Sequence, residues 1–267
     1  MFQTTTTTTT TSSHFASQVV LITGCSSGIG LATTHAFLRS SARVFGVDVA
    51  PAPPSLTSHA AFGFRQVDLA AADGPRVALA ACAARYGHRV DVLCNVAGVM
   101  DASESVDALA DDVWDRVLAV NLSAPVRLMR EVLPLMRGRR AGAVVNVVSK
   151  AGLSGAVAGV AYTASKHGLV GATKQTAWRF ADEGIRCNAV APGVVATNIS
   201  DSMNKERFDA ATYARMKPVH ELHVPSDGSS QILMPDDITS TILFLASDLS
   251  SKITGAVIPI DNGWSCL

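Results

Sequence analysis

Three polar residues, Ser149, Tyr162 and Lys166, have the types and spacing that suit proton transfer to or from an oxygen atom. Tyr162 and Lys166 are four residues apart, so a helix places them on one face, one turn apart. An ammonium group beside a phenol stabilises the phenolate, and we therefore expect the pKa of Tyr162 to lie below its ordinary value of about 10. Such a phenol can act as the general base for an alcohol or the general acid for a ketone. Ser149 follows a buried apolar run, where its hydroxyl could hold the substrate oxygen.

A Tyr–Lys pair is common on helix surfaces, but this chain also carries a glycine-rich stretch, TGCSSGIG, at residues 23–30. The stretch lies between an apolar run and a helix that we predict over residues 29–39. At such a turn the free N–H groups of the helix start form an anion site. Gly24 lets the turn close, Gly28 lets a phosphate approach, and Gly30 allows tight packing of helix on strand. The spacing differs from the usual Gly-x-Gly-x-x-Gly pattern, so it is the position of the glycines that predicts a dinucleotide site.

Asp48 ends the second apolar run, 18 residues beyond Gly30. A carboxylate at this point can accept hydrogen bonds from the ribose hydroxyls of NAD. It would repel the 2′-phosphate of NADP, and residues 46–50 contain no lysine or arginine to offset that repulsion. Arg43 lies at the start of the run, too far away to help. We therefore predict NAD as the cofactor.

The elements that must position these residues alternate along the chain. Short runs rich in Val and Ile lie at residues 18–23, 43–47, 90–94, 143–148, 185–190 and 256–260. Longer Ala- and Leu-rich stretches lie at residues 29–39, 75–86, 111–137, 161–182 and 235–247. The strand runs barely alternate in polarity, which is typical of a parallel sheet buried on both faces. We predict a single α/β domain with a Rossmann-like, doubly wound parallel sheet of about seven strands, flanked by helices on both faces.

Two segments fall outside this alternation. Residues 1–15 include eight consecutive threonines, and we predict that they form a disordered tail before a domain that spans residues 16–267. Residues 197–234 are too many for an ordinary connection. We predict that they form a lid over the substrate site, with a surface insertion of no function as the alternative.

Composition excludes several classes of function. Lys plus Arg and Asp plus Glu number 22 each, which argues against a nucleic acid or an anionic membrane surface as the partner. Five scattered cysteines without a CxxC pair, and histidines without HExxH or HxH spacing, predict neither a metal site nor a disulfide framework. The first basic residue is Arg39, so we expect neither a secretory signal nor a transit peptide, and no apolar run is long enough for a membrane span. These features predict a cytoplasmic protein with a small-molecule partner.

In six ordered motifs, from about residue 17 to 265, the chain resembles the short-chain dehydrogenase/reductase superfamily in its single-domain, NAD(P)-dependent form. The motifs are TGxxxGIG at residues 23–30, NxAG at 95–98, Asn121, Ser149 with Tyr162-x-x-x-Lys166, Pro192-Gly193 with Thr197, and Gly255 with Asp261-Asn262-Gly263. Two small departures are Val148 in place of a second serine and Asn262 in place of the first glycine of a final pair. Neither departure removes a residue with a catalytic role in the family.

The resemblance implies a role for each matching residue. Tyr162 transfers the proton, Lys166 binds the nicotinamide ribose and lowers the pKa of the tyrosine, Ser149 orients the substrate, and Asn121 holds a water in a proton relay. Contacts to the cofactor are implied for Gly24, Ser26, Ser27, Gly28, Ile29, Gly30, Asp48, Asp68, Leu69, Asn95, Ala97, Gly98, Tyr162, Lys166, Pro192, Gly193, Val195 and Thr197. The resemblance also implies a homotetramer or homodimer formed through the helices at residues 111–137 and 161–182.

We expect the substrate pocket between the strand ends and the predicted lid. Its expected lining is Val99, Met100, Ala151, Leu153, Val157, Gly193, and Met203 or Tyr213. None of these side chains offers a positive charge for a carboxylate or a phosphate, so the sequence predicts a hydrophobic, cyclic secondary alcohol or its ketone. The chain also resembles fungal and bacterial members of the family that act on polycyclic or terpenoid metabolites, which implies a role in secondary metabolism.

Three functions remain open from the sequence. An NAD-dependent dehydrogenase that oxidises the alcohol is favoured, because cells keep NAD mostly oxidised. An NADPH-dependent ketoreductase of a biosynthetic pathway is the first alternative. The second is a non-catalytic nucleotide-binding scaffold on the same fold, against which the intact set of Ser149, Tyr162 and Lys166 argues.

Overall fold

One parallel sheet forms the centre of the molecule, which a computed structural model describes over residues 15–224 and 232–266. Its strands are β1 (Val19–Thr23), β2 (Arg43–Asp48), β3 (Phe62–Gln66), β4 (Val92–Asn95), β5 (Gly142–Val147), β6 (Ile185–Pro192) and β7 (Val257–Ile260). Their order in the sheet is β3-β2-β1-β4-β5-β6-β7. The direction of strand addition reverses between β1 and β4, and ligands of open α/β sheets bind at the carboxyl edge beside such a reversal.

Helices cover both faces of the sheet. They are α1 (Gly28–Arg39), α2 (Pro54–Thr57), α3 (Gly74–Tyr86), α4 (Asp111–Leu118), α5 (Ala124–Arg139), α6 (Val160–Phe180), α7 (Ala210–Glu221) and α8 (Pro235–Ala246). Val20 and Ile22 of β1 pack in one core with α1 and α8, whereas Val19 and Leu21 pack in a second core with α3 and α5. All four side chains are fully buried. Burial on both faces explains why the strand runs lack alternation, and the predicted fold class is confirmed.

Strand β3 is the element that the pattern of apolar runs missed. Its sequence is Phe-Gly-Phe-Arg-Gln, and Arg65 and Gln66 are exposed. It pairs with β2 alone and so forms the edge of the sheet. An edge strand is buried less completely than a central one, and the Val- and Ile-rich signal that revealed the other six strands is therefore weak here.

The helix predicted over residues 111–137 is divided by a π-helical turn at Ala119–Ser123, between α4 and α5. A π turn holds one residue more than an α turn and re-aims the side chains around it, and such turns are frequent at functional sites. Asn121 lies in this turn and is fully buried.

The two segments outside the regular alternation are described only in part. Residues 1–14 of the predicted tail and residues 225–231 of the predicted lid lie outside the described residues. Phe15, which the prediction assigned to the tail, is 3% exposed and packs edge-on against Phe37 of α1, so the tail boundary at residue 15 is wrong by at least one residue. The described part of the 197–234 excursion contains α7 between short 3-10 turns. Within the described ranges, no helix has both the length and the apolarity needed to cross a membrane.

Candidate active site

The glycine-rich turn between β1 and α1 opens on a cavity of about 530 Å³ at the carboxyl edge of the sheet. Gly24 has a φ of +71°, and a Cβ atom there would lie 2.9 Å from the backbone of Ala97. A Cβ atom on Gly30 would overlap the carbonyl oxygen of Gly24. Gly28 has a φ of +50°, and its missing Cβ would lie 3.0 Å from the methyl group of Thr197. Side chains at these positions would close the turn and the cavity.

Most of the predicted cofactor contacts line this cavity. They are Gly24, Ser27, Gly28, Ile29, Gly30, Asp48, Asp68, Leu69, Ala97, Gly98 and Thr197. Ser27, at the N-cap of α1, makes no side-chain capping bond, and the first turn of α1 carries no acidic residue. The N–H groups of this turn are therefore available to an anion. The small residues, the elongated lining and the helix start fit a dinucleotide with its pyrophosphate at the start of α1.

Asp48 stands at the end of β2, where the prediction placed it. One carboxylate oxygen accepts from the N–H of Ser26 and the other from the N–H of Ala50, each at 2.9 Å. These bonds fix the carboxylate on the cavity wall. The one basic residue among the described residues of that wall is Arg116, and its guanidinium donates to the Ser202 carbonyl at 2.9 Å. The side chain of Ser26 itself points to the Ala50 carbonyl.

Asn95 does not line the cavity, and its role as a cofactor contact stays a prediction. Its amide donates to Asn146 Oδ1 at 2.8 Å, Asn146 in turn donates to Thr173 at 2.9 Å, and Asn95 is 2% exposed. Buried amides need such partners, and the amide of Asn95 donates its hydrogen bond to a residue of β5. The turn beyond it is held by Thr23, whose hydroxyl accepts from the N–H groups of Val96 and Ala97.

Ser149, Tyr162 and Lys166 are brought together at the carboxyl end of β5. The Ser149 hydroxyl accepts from the N–H of Ala151 at 3.1 Å and is near enough to the Tyr162 phenol to lower the pKa of that phenol. The Lys166 ammonium lies 5.4 Å from the centre of the Tyr162 ring and donates to the Val147 carbonyl at 3.0 Å. Tyr162 and Lys166 are 7% and 2% exposed.

The pKa of Tyr162 differs from the expectation. Burial is the main cause that raises the pKa of Tyr162, Ser149 lowers it, and the charge of Asp101 raises it, and together these effects bring the pKa to about 12. Burial also lowers the pKa of Lys166 to about 8. The prediction of a pKa below 10 for Tyr162 is wrong for this structure, because loss of water disfavours the phenolate more than its neighbours stabilise it.

Asn121 forms hydrogen bonds with the backbone of the loop that follows β4. Its amide oxygen accepts from the N–H of Val99, and its amide nitrogen donates to the Val99 carbonyl, both at 2.9 Å. The same nitrogen donates to Ser165 at 3.1 Å. A Cβ atom on Gly98 would lie 3.4 Å from the Asn121 oxygen and 3.5 Å from the Lys166 ammonium, so the three residues are neighbours. The role of Asn121 in a water relay stays a prediction.

An apolar cluster surrounds Tyr162 and contains four of the predicted substrate residues. These are Val99, Met100, Ala151 and Val157. Leu153 is 40% exposed and Tyr213 is 38% exposed, and neither belongs to the described cluster. Met203 is half-buried and also lies outside it. Tyr213 contacts the rings of Phe208 and His220 instead.

Of the cofactor contacts predicted in the segment after β6, Thr197 is the one that lines the cavity. A Cβ atom on Gly193 would lie 2.6 Å from His223 Nε2, and Val195 pairs with Leu233 in an isolated bridge. Pro192 is buried at the end of β6. Pro192, Gly193 and Val195 thus support the segment, and their predicted contacts with the cofactor stay a prediction.

Trp264 is a member of the apolar cluster that the sequence did not reveal. Its ring stacks on His223 with centroids 4.7 Å apart, and its indole N–H donates to the Val219 carbonyl at 3.0 Å. Its own carbonyl accepts from Lys150 at 3.2 Å. An aromatic residue soon after the last strand was the available signal, but only the folded chain shows that Trp264 joins the apolar cluster that contains Tyr162.

Comparison with known proteins assigns these features to one group. The family model for short chain dehydrogenase matches residues 18–207. The "Short chain dehydrogenase prhI" of Penicillium brasilianum is 52% identical over 250 residues, which are 93% of this chain and 97% of that protein. The "Asnovolin H dehydrogenase nvfC" of Aspergillus novofumigatus is 51% identical over 250 residues, with the same coverage of both chains.

Solved structures have the same fold. The crystal structure of levodione reductase superimposes with a TM-score of 0.82 at 29% identity, over 94% of this chain and 99% of that one. A Beutenbergia cavernae protein assigned as an NAD(P) dependent gluconate 5-dehydrogenase, with bound NADP, superimposes with a TM-score of 0.79 at 30% identity, over 94% and 98% of the two chains.

Proposed function

The chain belongs to the short-chain dehydrogenase/reductase superfamily and is an NAD(P)-dependent oxidoreductase of CH–OH groups, and on that premise we propose that it oxidises a hydrophobic, cyclic secondary alcohol to its ketone with NAD. The observation that carries the proposal is the setting of Tyr162. Its phenol has Ser149 and Lys166 as polar neighbours and belongs to an apolar cluster beside the dinucleotide cavity.

In this proposal the Tyr162 phenol first loses its proton to solvent, and the phenolate then accepts the hydroxyl proton of the alcohol, while Ser149 holds the substrate oxygen through its own hydroxyl. Lys166, with a pKa of about 8, carries its ammonium charge at neutral pH and stabilises the phenolate as it forms. The glycine turn and Asp48 would hold the dinucleotide, and its nicotinamide would supply the acceptor for the hydride on the carbon that bears the hydroxyl. The buried setting of Tyr162 keeps water away from the reacting oxygen.

Asp48 supports NAD over NADP as the cofactor. Its carboxylate is fixed on the cavity wall by two backbone N–H groups, and its charge would oppose a 2′-phosphate. The side chain that follows it, Val49, is 68% exposed and carries no charge to offset that repulsion. We expect NAD⁺ to be used at least about tenfold better than NADP⁺, which corresponds to about 1.4 kcal/mol.

The substrate class follows from the cluster around Tyr162. Val99, Met100, Ala151 and Val157 offer apolar surface and no fixed charge. Such a lining favours a bulky hydrocarbon frame over a carboxylate or phosphate ester. The relative named asnovolin H dehydrogenase supports a fungal natural product as the substrate, and hence a role in secondary metabolism.

The test is turnover of a panel of cyclic secondary alcohols with NAD⁺, followed as NADH absorbance, in the wild type and in Tyr162→Phe. We expect the variant to bind NADH normally and to lose about 10²–10⁴-fold in kcat, because general acid–base catalysis contributes that much. Turnover of ketones with NADPH alone would favour the ketoreductase. Nucleotide binding with no turnover of any substrate would favour the scaffold.

We further propose that the protein is cytoplasmic and forms a homodimer or homotetramer. The cysteines at residues 25, 82, 94, 187 and 266 are all unpaired, as expected in a reducing compartment. On α6, Trp178 is 80% exposed, and between α5 and α6 runs a groove of about 330 Å³ with apolar residues on its walls. An exposed tryptophan on α6 and an apolar groove on the same pair of helices support a contact with a second copy of the chain.

A further inference from the structure

The start of α6 rests on a buried carboxylate to which the proposed mechanism gives no role. Asp101 is 1% exposed and lies in the loop after β4. One of its oxygens accepts from the N–H of Tyr162 at 2.8 Å. The other accepts from the N–H groups of Gly159 and Ser103 at 3.2 and 3.3 Å. Asp101 therefore holds the residue whose phenol is proposed to transfer the proton.

Gly159 shows how closely this carboxylate is packed. A Cβ atom at residue 159 would lie 2.5 Å from Asp101 Oδ1. The φ of Gly159 is −67°, which any residue adopts, so it is the contact and not the backbone conformation that requires glycine. The first turn of α6 can approach Asp101 only because this side chain is missing.

The loop around Asp101 also joins two helices. The Glu104 carbonyl accepts from the N–H of Val160 at 2.9 Å, and the Ala102 carbonyl accepts from the N–H of Asp209 at 3.0 Å. Asp209 caps α7 through the N–H of Thr212. Residues 101–104 are all buried. They connect the start of α6 with the start of the helix in the proposed lid.

We propose that Asp101 is a positioning residue that fixes Tyr162 on the first turn of α6 and opposes formation of the phenolate by its negative charge. This inference rests on the proposed role of Tyr162 in proton transfer. The groups that face the phenol are Ser149 at the end of β5, Lys166 on α6, and Asp101 after β4. Asp101 is the one like charge among these three, because Lys166 and Ser149 both favour the phenolate.

The state of Asp101 agrees with this role. Burial raises the pKa of Asp101, and bonds from backbone N–H groups, including that of Tyr162, counteract the effect of burial. The positive end of the α6 dipole also favours the carboxylate. Its charge in turn raises the pKa of Tyr162.

Two substitutions separate the charge of Asp101 from its contacts. Asp101→Asn removes the charge while it keeps the size of the side chain, and Gly159→Ala keeps the charge while it displaces the carboxylate. Asp107→Asn, an exposed residue of the same loop, is the matched control. Each variant is compared with the wild type in three measurements. These are the pH profile of kcat/KM for alcohol oxidation, the NADH affinity by fluorescence, and hydrogen exchange of the peptide that covers residues 157–166.

We expect Asp101→Asn to move the alkaline midpoint of the pH profile down by about one unit, because a like charge is lost. Gly159→Ala leaves that midpoint in place and lowers kcat about tenfold, because the phenol is misplaced. Both variants exchange the amides of residues 159–162 faster and bind NADH as the wild type does. Asp107→Asn matches the wild type in all three measurements.

The inference would be overturned if both variants had the same pH midpoint, the same kcat and the same hydrogen exchange as the wild type. If Asp101→Asn does not fold, Gly159→Ala alone decides, and wild-type kcat and exchange in that variant refute the proposal. Failure of the proposed function is a different result. In that case Tyr162→Phe retains turnover, while the exchange measurement still reports whether Asp101 holds the start of α6.

Discussion

At Tyr162, burial and a neighbouring hydroxyl have opposite effects on the pKa of one phenol. Burial raises the pKa, Ser149 lowers it and Asp101 raises it, and the net value is about 12. The i, i+4 spacing of Tyr162 and Lys166 correctly indicates that the two side chains are neighbours, but it carries no information on how far water is excluded from them. Because Lys166 is equally buried, its pKa falls as well, and part of its power to stabilise the phenolate is lost.

We propose that cofactor choice is decided at the residue scale, by Asp48 and the position after it. We predict that Asp48→Ala combined with Val49→Arg reverses the preference from NAD⁺ to NADP⁺. The double variant removes the charge that repels a 2′-phosphate and adds a guanidinium that can pair with it. The measurement is kcat/KM for both cofactors, with an expected change in their ratio of about 10²-fold or more. Val49→Arg alone is the control, and an unchanged ratio in the double variant would place discrimination elsewhere.

At the scale of elements, α4 holds the start of the proposed lid across the cofactor cavity. Arg116 of α4 donates to the Ser202 carbonyl at 2.9 Å, and Arg207 bonds to Asp112 of α4 at 2.6 Å. The Ser202 hydroxyl accepts from the N–H of Met100 at 2.9 Å. Residues 197–202 line the cavity in part, so these contacts bear on how long a bound cofactor stays.

We predict that Arg116→Ala weakens cofactor binding without a loss of fold. The lid start loses its bond to α4, and the cavity loses its one described basic side chain. Loss of one hydrogen bond to a charged group corresponds to about tenfold in affinity. NADH titration by fluorescence checks this, with Arg76→Ala as the control because Arg76 is 72% exposed on α3. Equal affinities in the two variants would contradict the role given to Arg116.

At the scale of the whole molecule, Asp91 ties three elements together. Its carboxylate accepts from the N–H of Val19 at 2.8 Å and pairs with Arg89 at 2.7 Å and Arg139 at 2.5 Å. These partners lie at the start of β1, before β4 and at the end of α5. Burial of Asp91 by itself raises its pKa, but the bonds from its partners lower the pKa overall.

We predict that Asp91→Asn lowers the free energy of unfolding by about 2 kcal/mol, and Tm by about 5 °C, because two arginines lose their partner. The lowered pKa of Asp91 determines how its contribution to the free energy of unfolding changes with pH. The stabilisation is present above the unfolded-state pKa of about 3.9 and is lost as the pH falls through the lower folded-state value. Thermal unfolding from pH 7 down to pH 3 measures this, and the difference between wild type and variant should shrink with acid. Asp73→Asn, at a pair that is more than 60% exposed, should change little.

Assembly also belongs to this scale. We predict that Trp178→Glu dissociates the proposed oligomer, because a charge replaces an 80% exposed indole on α6, the helix that also forms one wall of the apolar groove. Light scattering after size exclusion gives the mass of each species. Leu249→Glu is the control, since Leu249 is 67% exposed and lies far along the chain from both helices. A wild-type protein that is monomeric would refute this proposal directly.

Much of the fold could be predicted from the sequence because its signals are local. Apolar runs without alternation indicated six of the seven strands, and the small residues at 23–30 indicated the turn on which the cavity opens. β3 was missed because an edge strand needs less apolar sequence than a central one. The bond of the Asn95 amide within the core was not indicated, because its partner Asn146 is 51 residues away.

By itself, the sequence determined six of the seven strands, the glycine turn and the helical pairing of Tyr162 with Lys166, because each depends on residues within a few positions of one another. Only the tertiary structure decided the pKa of Tyr162, the position of Trp264 in the apolar cluster and the hydrogen bond from the Tyr162 N–H to Asp101. Asp101 and Tyr162 are 61 residues apart, and Trp264 meets Lys150 across 114. Exclusion of water and contact between charges depend on such distant segments, and no local pattern of residue types encodes them.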